Sequence, residues 1–241
     1  DKKPSLDLWP LDSRRFSFHH GTKSFMYPRA VEQYAYHYKM RYPGQEYQTS
    51  RKLRLSPLYK ILKNKGSVYG SKNGWERPLW FAPKGIEQLD QLAFLNPGWH
   101  KYVADEHRSV REKVALIDQT SFGKFELLGN GSLELLQYLT TCNMDKPIGS
   151  VIYSQLCNEK GGIEADLTIT RLGLEHFYIV TGSTFGTHDT DWIRQHIPKE
   201  KSIYLMDVSS ARAVINICGP KSREVLQQVS ENDLSNISTC V

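Results

Sequence analysis

The residues best suited to chemistry in this chain are Tyr153 and Asp166, which open and close the run Tyr153-Ser-Gln-Leu-Cys-Asn-Glu-Lys-Gly-Gly-Ile-Glu-Ala-Asp166. A carboxylate within hydrogen-bonding reach of a reacting group takes up a proton and stabilises a developing positive charge. An aromatic neighbour offers a stacking face, and its hydroxyl fixes orientation. Aspartate is disfavoured inside strands, yet Asp166 leads into Leu167-Thr-Ile-Thr170, a strong β pattern. Local rules broken in this way mark functional positions. The pattern alone leaves a second reading open, an Asp that faces solvent on an alternating strand.

Other clusters are weaker. In Gly74-Trp75-Glu76-Arg77-Pro78 the adjacent charges suit bidentate ion pairs with groups elsewhere in the fold or on a partner, or an aromatic and salt-bridge clasp between domains. His19-His20 follows a basic aromatic stretch and reads as catalytic or as plain surface. His188-Asp189 and His196 read as the polar face of a helix. No serine sits in a nucleophile elbow. Neither GxGxxG nor GxxxxGK[ST] occurs, so no dinucleotide or Walker-type site is expected within these residues. Cys142, Cys157, Cys218 and Cys240 form no CxxC pair and have no histidines at zinc-site spacing, so no metal is expected. Cys157 and Cys218 end apolar strand-like runs, as buried reduced thiols do.

The elements that must position these residues follow from periodicity. Before Pro97-Gly98 the chain is rich in Tyr, Arg and Pro. Two helices are predicted there: Ala30 to Met40, and one capped by Ser56 with Pro57 in its first turn, ending at Gly66. The stretch from Gly74 to Pro83 reads as irregular. Beyond Pro97-Gly98 the spacing predicts a helix over Trp99–Val114, a strand over Phe122–Leu128 and a helix capped by Ser132 that runs to Thr141. Strands over Val151–Leu156 and Ile163–Leu172 meet at Asn158-Glu-Lys-Gly-Gly162, whose glycines suit positive φ. Tyr153 and Asp166 therefore fall near one end of a sheet. A strand over Phe177–Thr181 turns at Gly182-Ser183 into a helix around Asp189–His196. Strands over Ile203–Val208 and Ala213–Cys218 precede a helix opened by Gly219-Pro220.

At 241 residues, 39% apolar and 24% charged, the composition excludes disordered, collagen-like and coiled-coil chains. No run approaches the about 18 apolar residues of a membrane span. Residues 1–100 hold 17 Lys+Arg against 8 Asp+Glu, a net of +9, whereas residues 101–241 hold 14 against 18, a net of −4. The basic residues are dispersed, without a finger or RNA-binding aromatic signature, so a solvated basic face is expected rather than nucleic acid. The start at Asp1-Lys-Lys-Pro4 and the end at Val241 read as those of a piece of a longer polypeptide.

With these motifs in hand, the chain resembles the dimethylglycine and sarcosine dehydrogenase family. Leu6-Asp-Leu-Trp9, Asp12-Ser-Arg-Arg-Phe16, Tyr38-Lys-Met-Arg-Tyr-Pro43, Arg54-Leu-Ser-Pro-Leu58 and above all Val68-Tyr-Gly-Ser-Lys-Asn-Gly-Trp-Glu-Arg-Pro78 resemble the segment after that family's FAD domain. Glu106-His-Arg-Ser-Val-Arg111, Asp118-Gln-Thr-Ser-Phe-Gly-Lys-Phe125, Asn158 to Asp166 and Val180-Thr-Gly-Ser183 resemble the start of the folate-binding aminomethyltransferase (glycine-cleavage T-protein) domain. The resemblance implies an α+β fold: a small central oxidoreductase segment over residues 1–98, then a truncated T-protein-like mixed sheet with flanking helices over residues 99–241.

It also implies an enzyme that oxidises an N-methyl amine at FAD, bound mainly by a domain of the same polypeptide outside this chain, and passes the one-carbon unit to tetrahydrofolate. On that reading Asp166 is the catalytic acid/base and Tyr153 contacts folate. Ala165, Leu167 and Gly182 line the pterin side. The family's acidic Tyr-Thr-Gly-Glu segment, which completes its folate pocket, has no counterpart here, so the isolated chain is expected to bind folate weakly and to be redox-inactive. The expected location is the mitochondrial matrix, with the bacterial cytoplasm as the alternative. Two other readings share the domain order or the folate barrel: a regulatory subunit resembling that of pyruvate dehydrogenase phosphatase, and an RNA-binding relative, which the central-segment motifs oppose.

Overall fold

The computed structural model describes residues 8–235. The described residues divide into two compact units, one formed by residues 8–28, 72–74 and 120–213, the other by 29–71, 75–119 and 214–235. Helix α1 (Lys23–Ala35) begins and ends earlier than the predicted Ala30–Met40 helix, with Pro28 inside it.

In the second unit, short helix α2 (Tyr59–Asn64) follows a turn in which Ser56 Oγ accepts from the Leu58 amide at 3.1 Å. Strands β1 (Ser67–Lys72) and β2 (Trp75–Phe81) pair as a two-stranded sheet. The stretch read as irregular is thus a β-hairpin. Its alternation was hidden by Pro78 and by burial of neighbouring residues on both faces, Trp75 and Glu76 among them, with Val68 and Trp80 also buried. Helix α3 (His100–Glu112) lays Tyr102 and Val103 on Val68, Trp80 and Ala82, and Tyr102 stacks on Trp80 with ring centroids 5.4 Å apart. Strand β3 (Ala115–Asp118), not foreseen, completes an antiparallel pair with a later strand described below.

The first unit carries an antiparallel five-stranded sheet. Its strands are β4 (Gly123–Leu128), β5 (Val151–Cys157), β6 (Ile163–Gly173), β7 (His176–Thr181) and β8 (Tyr204–Asp207), in the order β5-β6-β7-β4-β8. Inward residues alternate along the strands: Leu156 on β5, Ala165, Leu167 and Ile169 on β6, and Phe177 and Ile179 on β7. Helix α4 (Ser132–Leu139) adds Leu135, Leu136 and Leu139, and α5 (Gly186–Gln195) adds Ile193. Each buried Leu, Ile or Phe side chain among these contributes about 1.5–3 kcal/mol relative to exposure. Ser132 is not the cap of α4. Gly131 precedes the helix at φ 97°, in a left-handed conformation that favours glycine, and Ser132 is the first helical residue, with a buried hydroxyl that lacks a hydrogen bond. In the second unit, strand β9 (Ile215–Cys218) pairs with β3 of the same unit and is followed by α6 (Ser222–Gln227).

On the outward face of β4, Glu126 accepts from His176 Nε2 at 2.9 Å and from Arg212. Burial pushes its carboxyl up, but these two partners outweigh burial and hold it below the ordinary glutamate value. A depressed folded-state value contributes stability above the unfolded-state value, and that stability is lost as pH falls through the folded one. Glu126→Gln is therefore expected to lower the melting temperature by about 2–4 °C at pH 7. The gap should close below about pH 4. Thermal melts across pH check this.

Candidate functional site

Tyr153 lies on edge strand β5 and Asp166 on its neighbour β6. Tyr153 pairs with Thr168, and Gln155 with Asp166, so Tyr153 and Asp166 are diagonal neighbours on one face. Because Ser154, Leu156, Ala165 and Leu167 take the inward positions, both side chains point outward. Tyr153 is 59% exposed and Asp166 is exposed as well. The Tyr153 hydroxyl donates to Asp166 Oδ2 at 2.9 Å, and this bond raises the phenol above its ordinary pKa, so the ring keeps its proton and remains a donor.

Ala165 and Leu167 flank the carboxylate in sequence but lie in the core, so only their main chain is available on the outward side. Thr168 is paired with Val180, and β7 ends at Thr181. Two residues beyond that rung on each strand stand Asp166 and Gly182, so Gly182 falls opposite the carboxylate in the extended register. Its turn is pinned: Ser121 Oγ and Ser183 Oγ lie 2.9 Å apart, and Asn73 Nδ2 donates to the Ser183 carbonyl at 3.2 Å. A Cβ at position 182 would meet the Phe185 ring at 3.1 Å. Phe185 is 60% exposed and stands just before α5. Sequence reading missed it, although a large aromatic left exposed immediately before a helix was a usable signal.

The remaining candidates make contacts within the fold. Cys157 pairs with Ile163 while Leu156 pairs with Ala165, leaving Glu164 as the extra residue of a bulge. That bulge aims Glu164 at Asn158 Nδ2, at 2.7 Å. Asp189 is not on a polar surface: it is 3% exposed, accepting from Thr181 Oγ1 at 2.5 Å and lying 2.9 Å from His188 Nδ1, which ties α5 to β7. His196 Nδ1 lies 2.8 Å from the Trp192 carbonyl. His19 and His20 are half-buried, their rings 4.1 Å apart, and His20 Nδ1 accepts from the Ser17 amide. Glu76 pairs with Arg51 rather than with its neighbour Arg77. Cys142, Cys157 and Cys218 are free thiols, half-buried, and Cys240 lies outside the described residues. Among the described residues no helix is long and apolar enough to cross a membrane.

A protonated phenol fixing one oxygen of an open carboxylate, beside a glycine walled by an aromatic ring, suits acid–base work on a flat ligand laid against the sheet. The fold that carries it is that of a glycine-cleavage aminomethyltransferase. The aminomethyltransferase T of Bartonella henselae matches 73% of this chain and 44% of its own with a TM-score of 0.59 at 24% identity, a likeness in fold. Residues 58–239 match the GCVT N-terminal domain, and the chain belongs to that family; residues 3–56 match the FAD dependent oxidoreductase central domain.

The chain is 35% identical to 4-methylaminobutanoate oxidase (formaldehyde-forming) of Paenarthrobacter nicotinovorans, over 97% of this chain and 28% of that protein. It is 34% identical to the mitochondrial pyruvate dehydrogenase phosphatase regulatory subunit of Mus musculus, over 94% of this chain and 26% of that one. To human mitochondrial sarcosine dehydrogenase it is 30% identical, over 97% of this chain and 30% of that protein. It thus spans less than a third of the length of each of these relatives.

Proposed function

We propose that the chain forms part of the folate side of a flavin-dependent dehydrogenase that oxidises an N-methyl amine of the sarcosine or dimethylglycine type and delivers its one-carbon unit to tetrahydrofolate, giving methylene-tetrahydrofolate. The Tyr153–Asp166 hydrogen bond on the outward face of β5 and β6 carries this reading. Sarcosine dehydrogenase and formaldehyde-forming 4-methylaminobutanoate oxidase among the relatives support it.

The donor set suits one side of a reduced pterin. Asp166 offers a carboxylate to ring N–H groups, Tyr153 a stacking face and an orienting hydroxyl, and Gly182 room beside the Phe185 ring. Ala165 and Leu167 would contribute main chain alone. Tetrahydrofolate, when bound, supplies the nitrogen that accepts the one-carbon unit. Asp166 Oδ2 is engaged by Tyr153, which leaves Oδ1 to hold the proton released there. The open face reads as one wall of such a site. Flavin binding we assign to the rest of a longer polypeptide, in keeping with the length of the relatives.

The similarity to the phosphatase regulatory subunit supports a second reading, a regulatory protein acting through protein contacts. The mitochondrial relatives support a matrix location, and the Paenarthrobacter relative supports the bacterial alternative.

Fluorescence titration of the full-length protein with tetrahydrofolate tests the enzyme reading. Saturable binding is expected, and Tyr153→Phe should raise the dissociation constant about 3–10-fold through loss of one hydrogen bond. A full-length protein that does not bind tetrahydrofolate would favour the regulatory reading.

A further inference from the structure

The Tyr153–Asp166 bond is the end of a longer row of polar contacts at the edge of the five-stranded sheet. After α4 the chain returns along β5: Thr140 forms an antiparallel bridge with Leu156, and the Thr141 amide donates to the Gln155 carbonyl at 3.1 Å. That brings the Thr141 hydroxyl to the Gln155 side chain, where it donates to Oε1 at 3.2 Å. Gln155 is half-buried, sits directly opposite Asp166 in the β5–β6 register and points outward, as does Tyr153 two residues before it. At the start of the row the buried Ser154 hydroxyl lies 3.3 Å from Thr141 Oγ1 and accepts from the Cys142 amide at 3.2 Å.

The direction of the row follows from its last member. An ionised carboxylate only accepts, so the Tyr153 hydrogen goes to Asp166 and leaves the phenol oxygen with lone pairs alone. Of the two ends of the Gln155 amide, only the nitrogen can donate to those lone pairs. Oε1 must then face Thr141, and that is the atom to which the Thr141 hydroxyl donates. Because Thr141 gives its hydrogen to Gln155, it can only accept from Ser154, whose oxygen in turn accepts from the Cys142 amide. Every donor thus points the same way, toward the carboxylate. The phenol registers both of its neighbours: Asp166 raises its pKa most, and a hydrogen bond with the Gln155 side chain pulls it down.

We propose that Thr141 and Gln155 are positioning residues for the Tyr153–Asp166 pair. Thr141 fixes which way round the Gln155 amide stands, and Gln155 Nε2 holds the Tyr153 phenol with its hydrogen on Asp166 Oδ2. Oδ1 is then the carboxylate oxygen left open toward a ligand. Neither residue touches the reacting atoms, and each acts through the phenol. For its effect on ligand binding the proposal rests on the folate reading of this face, whereas the orientation of the phenol is a property of the chain alone.

Two measurements test it. Ultraviolet titration of the chain, taken as the difference between each variant and the same variant carrying Tyr153→Phe, isolates the ionisation of this one phenol. Gln155→Met has a similar shape without the amide donor, so the phenol pKa is expected to rise. Thr141→Val should move it in the same direction, and Thr141→Ser, which keeps the hydroxyl, should leave it at its original place. A Tyr153 titration unmoved by both Gln155→Met and Thr141→Val would overturn the proposal whether or not folate binds. In the full-length protein, Gln155→Met should raise the tetrahydrofolate dissociation constant about 3–10-fold, through loss of one hydrogen bond. Combined with Tyr153→Phe it should raise it no further than Tyr153→Phe does alone, because both variants remove the same oriented hydroxyl. Additive losses would mean that Gln155 meets the ligand itself and would overturn its positioning role, as would an unchanged dissociation constant in Gln155→Met. If the unmodified full-length protein does not bind tetrahydrofolate, the folate reading fails, and the phenol titration still decides the positioning.

Discussion

Replacing Asp166 with alanine in the full-length protein is expected to cut the yield of methylene-tetrahydrofolate about 10²–10⁴-fold, the usual contribution of a positioned proton acceptor. Amine oxidation should continue, and released formaldehyde should rise to match the lost product. The variant is informative because the side chain is exposed and the one side-chain hydrogen bond it makes among the described residues, from Tyr153, lies at the surface. Removing it should therefore shift stability by no more than about 0.5 kcal/mol. Asp166→Asn sharpens the test, since the amide oxygen still accepts from Tyr153 but cannot take up a proton. If the chemistry needs the proton acceptor, both variants lose the product, whereas a purely orienting role would spare the asparagine form. Unchanged yields of methylene-tetrahydrofolate and formaldehyde in both variants would remove Asp166 from the mechanism.

What could be read from the sequence depended on how much each signal belonged to one strand or helix. The period-two runs of β5, β6 and β7 were legible because one face of the sheet is core and the other is not, and the turn between β5 and β6 does place Gly161 at φ 76°. That alternation is also what sets Tyr153 and Asp166 on the outward face. The β1–β2 hairpin was not legible, since Trp75 and Glu76, consecutive residues on opposite faces, are both buried and erase the alternation. Buried charges were illegible for the same reason. Lys124 is fully buried, donating from Nζ to the Thr120 carbonyl at 2.5 Å, and Asp189 is buried against Thr181, yet each reads locally as a surface residue. Gly182 owes its place opposite Asp166 to the β6–β7 register, a relation between strands that cannot be seen in any one segment.

The partner of Glu76 was equally hidden, and it carries the largest stability effect expected in the chain. The Glu76 side chain is 2% exposed and that of Arg51 16%, with Arg51 Nε and Nη2 donating to the two carboxylate oxygens. The same guanidinium reaches the Tyr47 and Tyr69 carbonyls at 3.1 and 2.9 Å, and the Lys52 amide donates to Glu76 Oε1 at 2.7 Å. Ser50 and Lys52 hold φ of 51° and 60°, a left-handed conformation that costs non-glycine residues about 1–3 kcal/mol and persists only where surrounding contacts impose it. Glu76 is the contact that imposes it on Lys52. Glu76→Ala leaves a buried guanidinium without its paired carboxylate and releases the strained loop, so a loss of about 3–5 kcal/mol in chemical denaturation is expected. Glu76→Gln keeps an acceptor for the Lys52 amide and should lose less. Arg51→Ala, which strands the carboxylate instead, should cost about as much as Glu76→Ala, and the double variant should cost well under the sum of the two. The solvent-screened Asp12–Arg14 pair, 2.6 Å apart, provides the internal comparison, since Asp12→Ala should change stability far less than Glu76→Ala. Equal losses from Asp12→Ala and Glu76→Ala would show that burial of the Arg51–Glu76 pair contributes nothing beyond an ordinary surface contact.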